Sequence, residues 1–196
     1  MDWSREIIEW SDEALCASAQ GGNRAAEEIL VARYQQLTRA CARPYFLAGG
    51  DSEDLIQEAM FGLLKAIREY DASRQAAFRT FAQVCVRNRI RSAVTAAARD
   101  KHTPLNHSVP LDGAVTGERG DSPEELLLSR EATQERLDRV NRQLSTLEQR
   151  ILALYLQGLS YREIGRQVAR PVKAVDNAVQ RIRRKVAKVY GAFSES

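Results

Sequence analysis

Apolar and polar positions recur along this chain with the period of a helix. Between Asp51 and Tyr70, Leu55, Ile56, Ala59, Met60, Leu63, Leu64, Ala66, Ile67 and Tyr70 gather on one broad side of a helical wheel, as a core-facing stripe does. Asp54, Gln57, Glu58, Lys65 and Arg68 take the opposite side, and Phe61 falls among them. An aromatic ring where the period predicts water either packs under a neighbouring loop or anchors contact with another molecule. A second helix follows, with Val86, Ile90, Ala93 and Ala97 as its buried row and Val84, Asn88, Arg91 and Thr95 as an outward row. Upstream, Trp3, Ile7, Ile8 and Trp10 stand at near-helical spacing. Ser11 is placed to cap a short helix through Gln20, and Gly21-Gly22-Asn23 ends it and starts the next. Leu30, Tyr34, Leu37 and Cys41 then form an apolar row, Gly49-Gly50 closes that helix and Asp51 caps the one after. Nothing in this half alternates with period two, so a helical bundle without a sheet is predicted.

From Thr103 to Ser122 the periodicity fails, interrupted by Pro104, Pro110, Gly113, Gly117 and Gly120, which is the pattern of a linker. Ser122-Pro123-Glu124-Glu125 is a capping box with proline at the first helical position, opening an amphipathic helix through about Gln143. A second box, Ser145 to Glu148, precedes the apolar row Leu147, Ile151, Leu154 and Tyr155, and Gly158 stops that helix. A third, Ser160 to Glu163, is flanked by Leu159 and Ile164 at the spacing of a hydrophobic staple. Its helix reaches Val168, Ala169-Arg170-Pro171 turns the chain, and a last helix runs from about Val172 to Val189. A short helix, a tight turn and a longer basic helix make the layout of a helix-turn-helix, whose second helix enters the DNA major groove. Val175, Val179, Ile182 and Val186 form the buried side of the last helix, and Lys173, Asn177, Gln180 and Arg184 line the other. Asn and Gln pair with adenine edges, whereas Arg and Lys reach guanine or phosphate. Arg181, Arg183, Lys185 and Lys188 suit contacts to the DNA backbone.

Charge sharpens this picture more than composition does. The 196-residue chain has a net charge of +3, yet the sign is unevenly spread. From Arg79 to Lys101 six basic residues face a single acid, Asp100, and they are interleaved with Phe81 and preceded by Phe78. Guanidinium groups mixed with rings and small polar side chains suit phosphate contact and stacking on unpaired bases. The three cysteines, Cys16, Cys41 and Cys85, lack metal-ligand or disulfide spacing and fit buried thiols in a reducing compartment. His102 and His107 flank the linker without evident partners, and Asp100 and Asp176 are too isolated for a metal-dependent nuclease site. No catalytic residue, metal site or cofactor is expected, so the protein is not an enzyme. A charged N-terminus and the lack of a long apolar run predict a cytoplasmic location with no membrane contact.

These segments also carry a family resemblance. DLIQEAMFGLLKAIREYD resembles the polymerase-binding segment of the sigma-70 family of bacterial transcription initiation factors, and FRTFAQVCVRNRIRSAV resembles the adjoining segment that opens and reads the downstream promoter element. LSTLEQRILALYLQGLSYREIGRQVARPVKAVDNAVQRIRRKV is similar to the sigma domain for the upstream, minus-thirty-five element. TAAARDKHTPLN, SYREIG and KAVDNAVQRIRRKV resemble the sporulation sigma-H branch in particular. The resemblance implies an all-α protein: an N-terminal helical bundle of the sigma region 2 type (1–103), a flexible linker (104–122) and a C-terminal helix-turn-helix domain of the sigma region 4 type (123–196). It implies core RNA polymerase binding through Asp54, Gln57, Glu58, Phe61 and Leu64. Minus-ten contacts would fall to Phe78, Phe81, Val84, Asn88, Arg91 and Thr95, and minus-thirty-five contacts to Lys173, Asn177, Gln180, Arg181 and Arg184. The partners implied are promoter DNA, the clamp of the largest polymerase subunit, the flap of the second largest, and an anti-sigma factor.

The implied function is that of an alternative sigma factor, which directs core polymerase to particular promoters and assists strand opening. The sequence departs from housekeeping factors in having Val84 and Cys85 where they carry two adjacent tryptophans, and no counterpart of their large autoinhibitory N-terminal extension is expected. Neither side chain wedges against a base pair as an indole does, so weaker unaided melting and stricter promoter choice follow. Within the linker Asp112, Glu118 and Asp121 outnumber Arg119; the segment is either a plain tether or a strand that occupies the template path in the polymerase cleft. The rival reading is a stand-alone helix-turn-helix regulator, which would bind its operator tightly without polymerase.

Overall fold

The computed structural model describes residues 7–47, 52–100 and 138–191, which divide between two compact units. The linker at 104–122, the helix opening at Ser122-Pro123, Trp3, the Asp51 cap, Gly49-Gly50 and both histidines lie outside the described residues. Among the described residues there is no strand, in agreement with the all-α reading.

The N-terminal unit starts with a 3-10 turn at Ile7–Glu9 and is built on four helices, α1 (Asp12–Gln20), α2 (Arg24–Leu47), α3 (Ser52–Glu69) and α4 (Phe78–Asp100), except that the end of α2 from Arg43 and the first residue of α3, Ser52, group with the other unit. Ser11 caps α1 by accepting the Ala14 N–H, and the Asn23 side chain caps α2 through the N–H groups of Ala25 and Ala26. Arg33 of α2 fastens the start of the chain, donating to the Asp12 carboxylate at 2.7 Å and to the carbonyls of Trp10 and Ile8. The Gln20 amide donates to the Ile67 and Tyr70 carbonyls at 3.0 and 2.8 Å, satisfying acceptors that the end of α3 would otherwise leave unpaired.

Leu15, Leu30, Leu63, Ile67, Phe78, Val86 and Ile90 are buried in this unit. The predicted α3 stripe faces inward, with Leu55, Ala59, Leu63, Ala66, Ile67 and Tyr70 buried. Gly62 allows close approach of α4: a Cβ there would lie 2.9 Å from the Val86 Cα, nearer than real Cβ atoms come to backbone. Phe78 is completely buried, with Tyr34 and Tyr70 meeting it edge to face at centroid distances of 5.0 and 5.3 Å. Burial of such a ring contributes about 2–3 kcal/mol.

The C-terminal unit contains helical residues 138–143, α5 (Thr146–Leu156), α6 (Tyr161–Val168) and α7 (Val172–Gly191). Its core joins Val140, Leu144, Ile151, Leu152, Tyr155 and Ile164 to Val175, Ala178, Val179, Ile182, Val186 and Val189 of α7. Both described capping boxes form, Ser145 with Glu148 and Ser160 with Glu163. Leu159 packs on the core that holds Ile164, as the predicted staple requires. One apolar position departs from expectation: Leu147 is 39% exposed and Leu152 takes its place in the core. The register of a short helix is set by what packs on it, and here α6 and α7 cover the Leu152 side.

The turn between α6 and α7 depends on two backbone features. Ala169 adopts the left-handed conformation, φ 51°, and the Arg170 N–H donates to the Gly165 carbonyl at 2.9 Å. This brings the Arg170 carbonyl back over α6, where a Cβ on Gly165 would stand 2.6 Å from its oxygen. Glycine at position 165 is therefore a packing requirement of the helix-turn-helix.

Candidate polymerase and nucleic-acid interfaces

On α3 the charged side faces outward as the period requires. Asp54, Gln57 and Phe61 are exposed, while Glu58 and Leu64 are half-buried at its margin. Phe61 is 55% exposed, so no loop among the described residues covers it. A ring this accessible among polar neighbours has the character of an interface anchor. The Glu58 carboxylate is engaged within the chain, accepting from Arg89 Nε of α4 at 2.5 Å. With half of the arginine side chain in solvent, such a pair is worth about 1 kcal/mol at most, so a docking partner displaces it at small cost.

On α4 the outward row survives and one of the two aromatics does not. Val84, Asn88, Arg91 and Thr95 are all exposed, at helical spacings that put them on one face. Phe78, expected among the residues near opened DNA, belongs to the core and offers no ring face to a base. It packs beneath the start of α4 because Tyr34 of α2 and Tyr70, just past the end of α3, form a slot around it. Phe81 is half-buried, with its ring 5.9 Å from that of Tyr70, so an edge remains accessible. Arg89 is committed to Glu58 and bridges the acidic and basic faces. Cys85 is half-buried, and burial pushes its thiol pKa up, so it behaves as a small apolar side chain rather than a reactive thiolate.

On α7, Lys173, Asn177, Gln180 and Arg184 are exposed along one side of the helix, opposite the buried row. Arg181 is also exposed, yet its guanidinium is an ion-pair partner, with Nε 3.4 Å from the Glu148 carboxylate. Lys185 Nζ approaches the same carboxylate at 2.7 Å. The sequence pattern marks Glu148 only as a capping-box acid. Its second role has a faint sequence signal, two cations one helical turn apart on α7, but which acid they meet depends on how α5 crosses α7. Burial opposes ionisation of Glu148, and the hydrogen bonds from Lys185, Ser145 and Arg181 outweigh it, holding the pKa down at about 2 against an ordinary value of 4.5.

Among the described residues no cluster of histidine, cysteine or carboxylate side chains is placed to hold a metal ion, and no helix is long and apolar enough to cross a membrane. The surfaces present are suited to binding: an acidic face with an aromatic anchor, and two rows of amide and cationic groups on separate helices.

Comparison with known proteins identifies the family to which the two helical regions belong. Residues 30–100 match Sigma-70 region 2, and residues 134–186 match Sigma-70, region 4. The chain is 38% identical over 190 residues to the RNA polymerase sigma-H factor of Bacillus licheniformis, covering 90% of this chain and 85% of that protein. To the RNA polymerase sigma-H factor of Bacillus subtilis (strain 168) it is 36% identical over 196 residues, covering 93% and 90%. An ECF RNA polymerase sigma-E factor of Escherichia coli (strain K12) is 30% identical over 180 residues, covering 88% and 91%. With both regions present in order and the likeness running through most of its length, the chain belongs to the sigma-70 family as an alternative RNA polymerase sigma factor.

Proposed function

We propose that this sigma factor divides the contacts its family makes, to core RNA polymerase and to promoter DNA, among three helices. The outward face of α3, with Asp54, Gln57, Glu58, Phe61 and the edge of Leu64, docks on the clamp of the largest polymerase subunit. The α4 row of Val84, Asn88, Arg91 and Thr95, with Phe81 beside it, engages the minus-ten element as it opens. On α7, Lys173, Asn177, Gln180 and Arg184 read the minus-thirty-five element, while the C-terminal unit rests on the flap of the second-largest subunit. The protein acts by binding alone.

The physical reasoning is the same on each surface. Amide side chains pair with base edges, cations neutralise phosphate, and a partly accessible ring such as Phe81 offers a stacking face to an unpaired base. Extrahelical bases cost a few kcal/mol each to expose, and binding elsewhere on the promoter must offset that. Val84 is exposed but small and Cys85 is half-buried, so this stretch supplies little wedge and melting leans on the promoter contacts. The observation that carries the docking assignment is the exposed Phe61 ring within the acidic face of α3.

Titration of the full chain against purified bacterial core polymerase tests it. Phe61→Ala and Glu58→Lys are each expected to weaken binding about tenfold or more. Phe61→Ala should change the unfolding midpoint little, because more than half of the residue is already exposed. Undiminished binding by both variants would overturn the assignment of this face.

A further inference from the structure

Glu148 is a carboxylate with its side chain only 7% exposed, in the first turn of α5. It accepts the Ser145 N–H at 3.0 Å and the Ser145 hydroxyl at 3.2 Å, completing the capping box. That task does not require charge, since glutamine serves equally at this position of the motif. The charge has another use: the same carboxylate receives Lys185 Nζ at 2.7 Å and Arg181 Nε at 3.4 Å from α7. Arg181 and Lys185 are one helical turn apart, so they form a strip beside the exposed row of Lys173, Asn177, Gln180 and Arg184. A buried carboxylate deprived of such partners is strongly destabilising, so the three groups hold one another in place.

We propose that Glu148 is a positioning residue that sets promoter discrimination: it restrains Arg181 and Lys185 against α5, withdraws both cations from the DNA backbone and leaves contact with DNA to the Lys173–Arg184 row. The inference rests on the reading of α7 as the upstream-element helix. Cations that grip phosphate raise affinity for every sequence alike, and so lower the ratio of specific to non-specific binding. Between Lys173 and Lys188, α7 carries six Lys and Arg residues, of which a single internal acid engages two. The buried row of α7 sets its rotation about its axis and the Glu148 contacts brace it, where base recognition tolerates only about 10–20° of error. Arg181 thus acts through the protein rather than through DNA, in contrast to its neighbour Arg184.

The test uses the full chain assembled with core polymerase. A preferred upstream hexamer is selected from a randomised duplex library, and affinity for the selected and a scrambled duplex is measured over a series of salt concentrations. Glu148→Gln keeps the cap and removes the charge. It is expected to strengthen scrambled binding, to steepen the dependence of log affinity on log salt by about one to two, and to cut the selected-to-scrambled ratio roughly tenfold. Arg181→Gln, at an exposed position, is expected to leave the salt slope and the ratio near wild type, whereas Arg184→Gln lowers both. A folded Glu148→Gln protein with an unaltered ratio and slope overturns the proposal. So does a fall of about one in slope for Arg181→Gln, which decides the matter alone if Glu148→Gln does not fold. A wild-type assembly that shows no preference in the upstream hexamer overturns the reading of α7 itself, and the proposal with it.

Discussion

Phe78 and Phe81 stand three residues apart at the start of one helix, and nothing in their immediate sequence separates them. Their environments do: Phe78 fills a slot made by Tyr34 and Tyr70, and Phe81 keeps an exposed edge. A period read along one helix cannot register a slot built by residues outside that helix, Tyr34 far upstream and Tyr70 just before it, so the same period places Phe78 beside DNA. Phe78→Ala is expected to cost about 3–5 kcal/mol and to lower or abolish the thermal transition of the N-terminal unit. A loss of promoter opening with unchanged thermal stability would show that the ring has a direct role instead. Glu148 presents the same lesson with charge. Its folded pKa of about 2 lies below the ordinary 4.5, so its contribution to stability is complete above about pH 4.5 and is lost as pH falls toward 2. That contribution is on the order of 2 kcal/mol once solvent access to Lys185 and Arg181 is allowed for. Hydrogen exchange of the α5 to α7 amides should show wild type better protected than Glu148→Gln at pH 6, with the difference fading near pH 2.5. A constant difference over that range would contradict the ionic origin.

Elements were more legible than residues. Caps and breaks are local, so Ser11, Asn23, Ser145 and Ser160 announced four helix starts that the structure contains. The α3 stripe was plain because eighteen residues give the period several turns to repeat. In α5, with eleven residues, the same method put Leu147 in the core although it faces solvent. The helix-turn-helix was recognisable from its spacing, but the reason for Gly165 was not, because the Arg170 carbonyl reaches it only after the chain turns. Gly165→Ala is expected to cost about 2–3 kcal/mol, as the turn shifts to relieve the contact. Ala169→Gly, by relieving a left-handed alanine, should stabilise the C-terminal unit by about 0.5–1 kcal/mol. Chemical denaturation of the two variants checks both signs, and a neutral Gly165→Ala would mean that the turn yields more easily than its geometry implies.

For the molecule as a whole, the order of surfaces is visible in the sequence itself: an acidic helix, a basic aromatic helix, then a basic helix-turn-helix. The loss of period after Thr103 separates the first two of these helices from the third, and the family comparisons match a region on either side of it. What the sequence concealed are the ties across helices, Glu58 to Arg89 and Glu148 to Arg181 and Lys185, in which one face takes up part of the charge of another. Such pairs join residues roughly thirty to forty positions apart, beyond the reach of any local spacing rule. In the proposed scheme the Glu58–Arg89 pair yields to polymerase, whereas Glu148 keeps Arg181 and Lys185 in the assembled complex, and selective DNA binding belongs to the chain with polymerase. The measurement that bears most directly on this is affinity for a selected promoter duplex, taken with the full chain alone and with purified core polymerase added, alongside run-off transcription from the same duplex. Weak, barely selective binding by the chain alone, giving way to selective binding and a run-off transcript with polymerase, is the expected result. Tight selective binding by the chain alone, unchanged by polymerase and without a transcript, would contradict it.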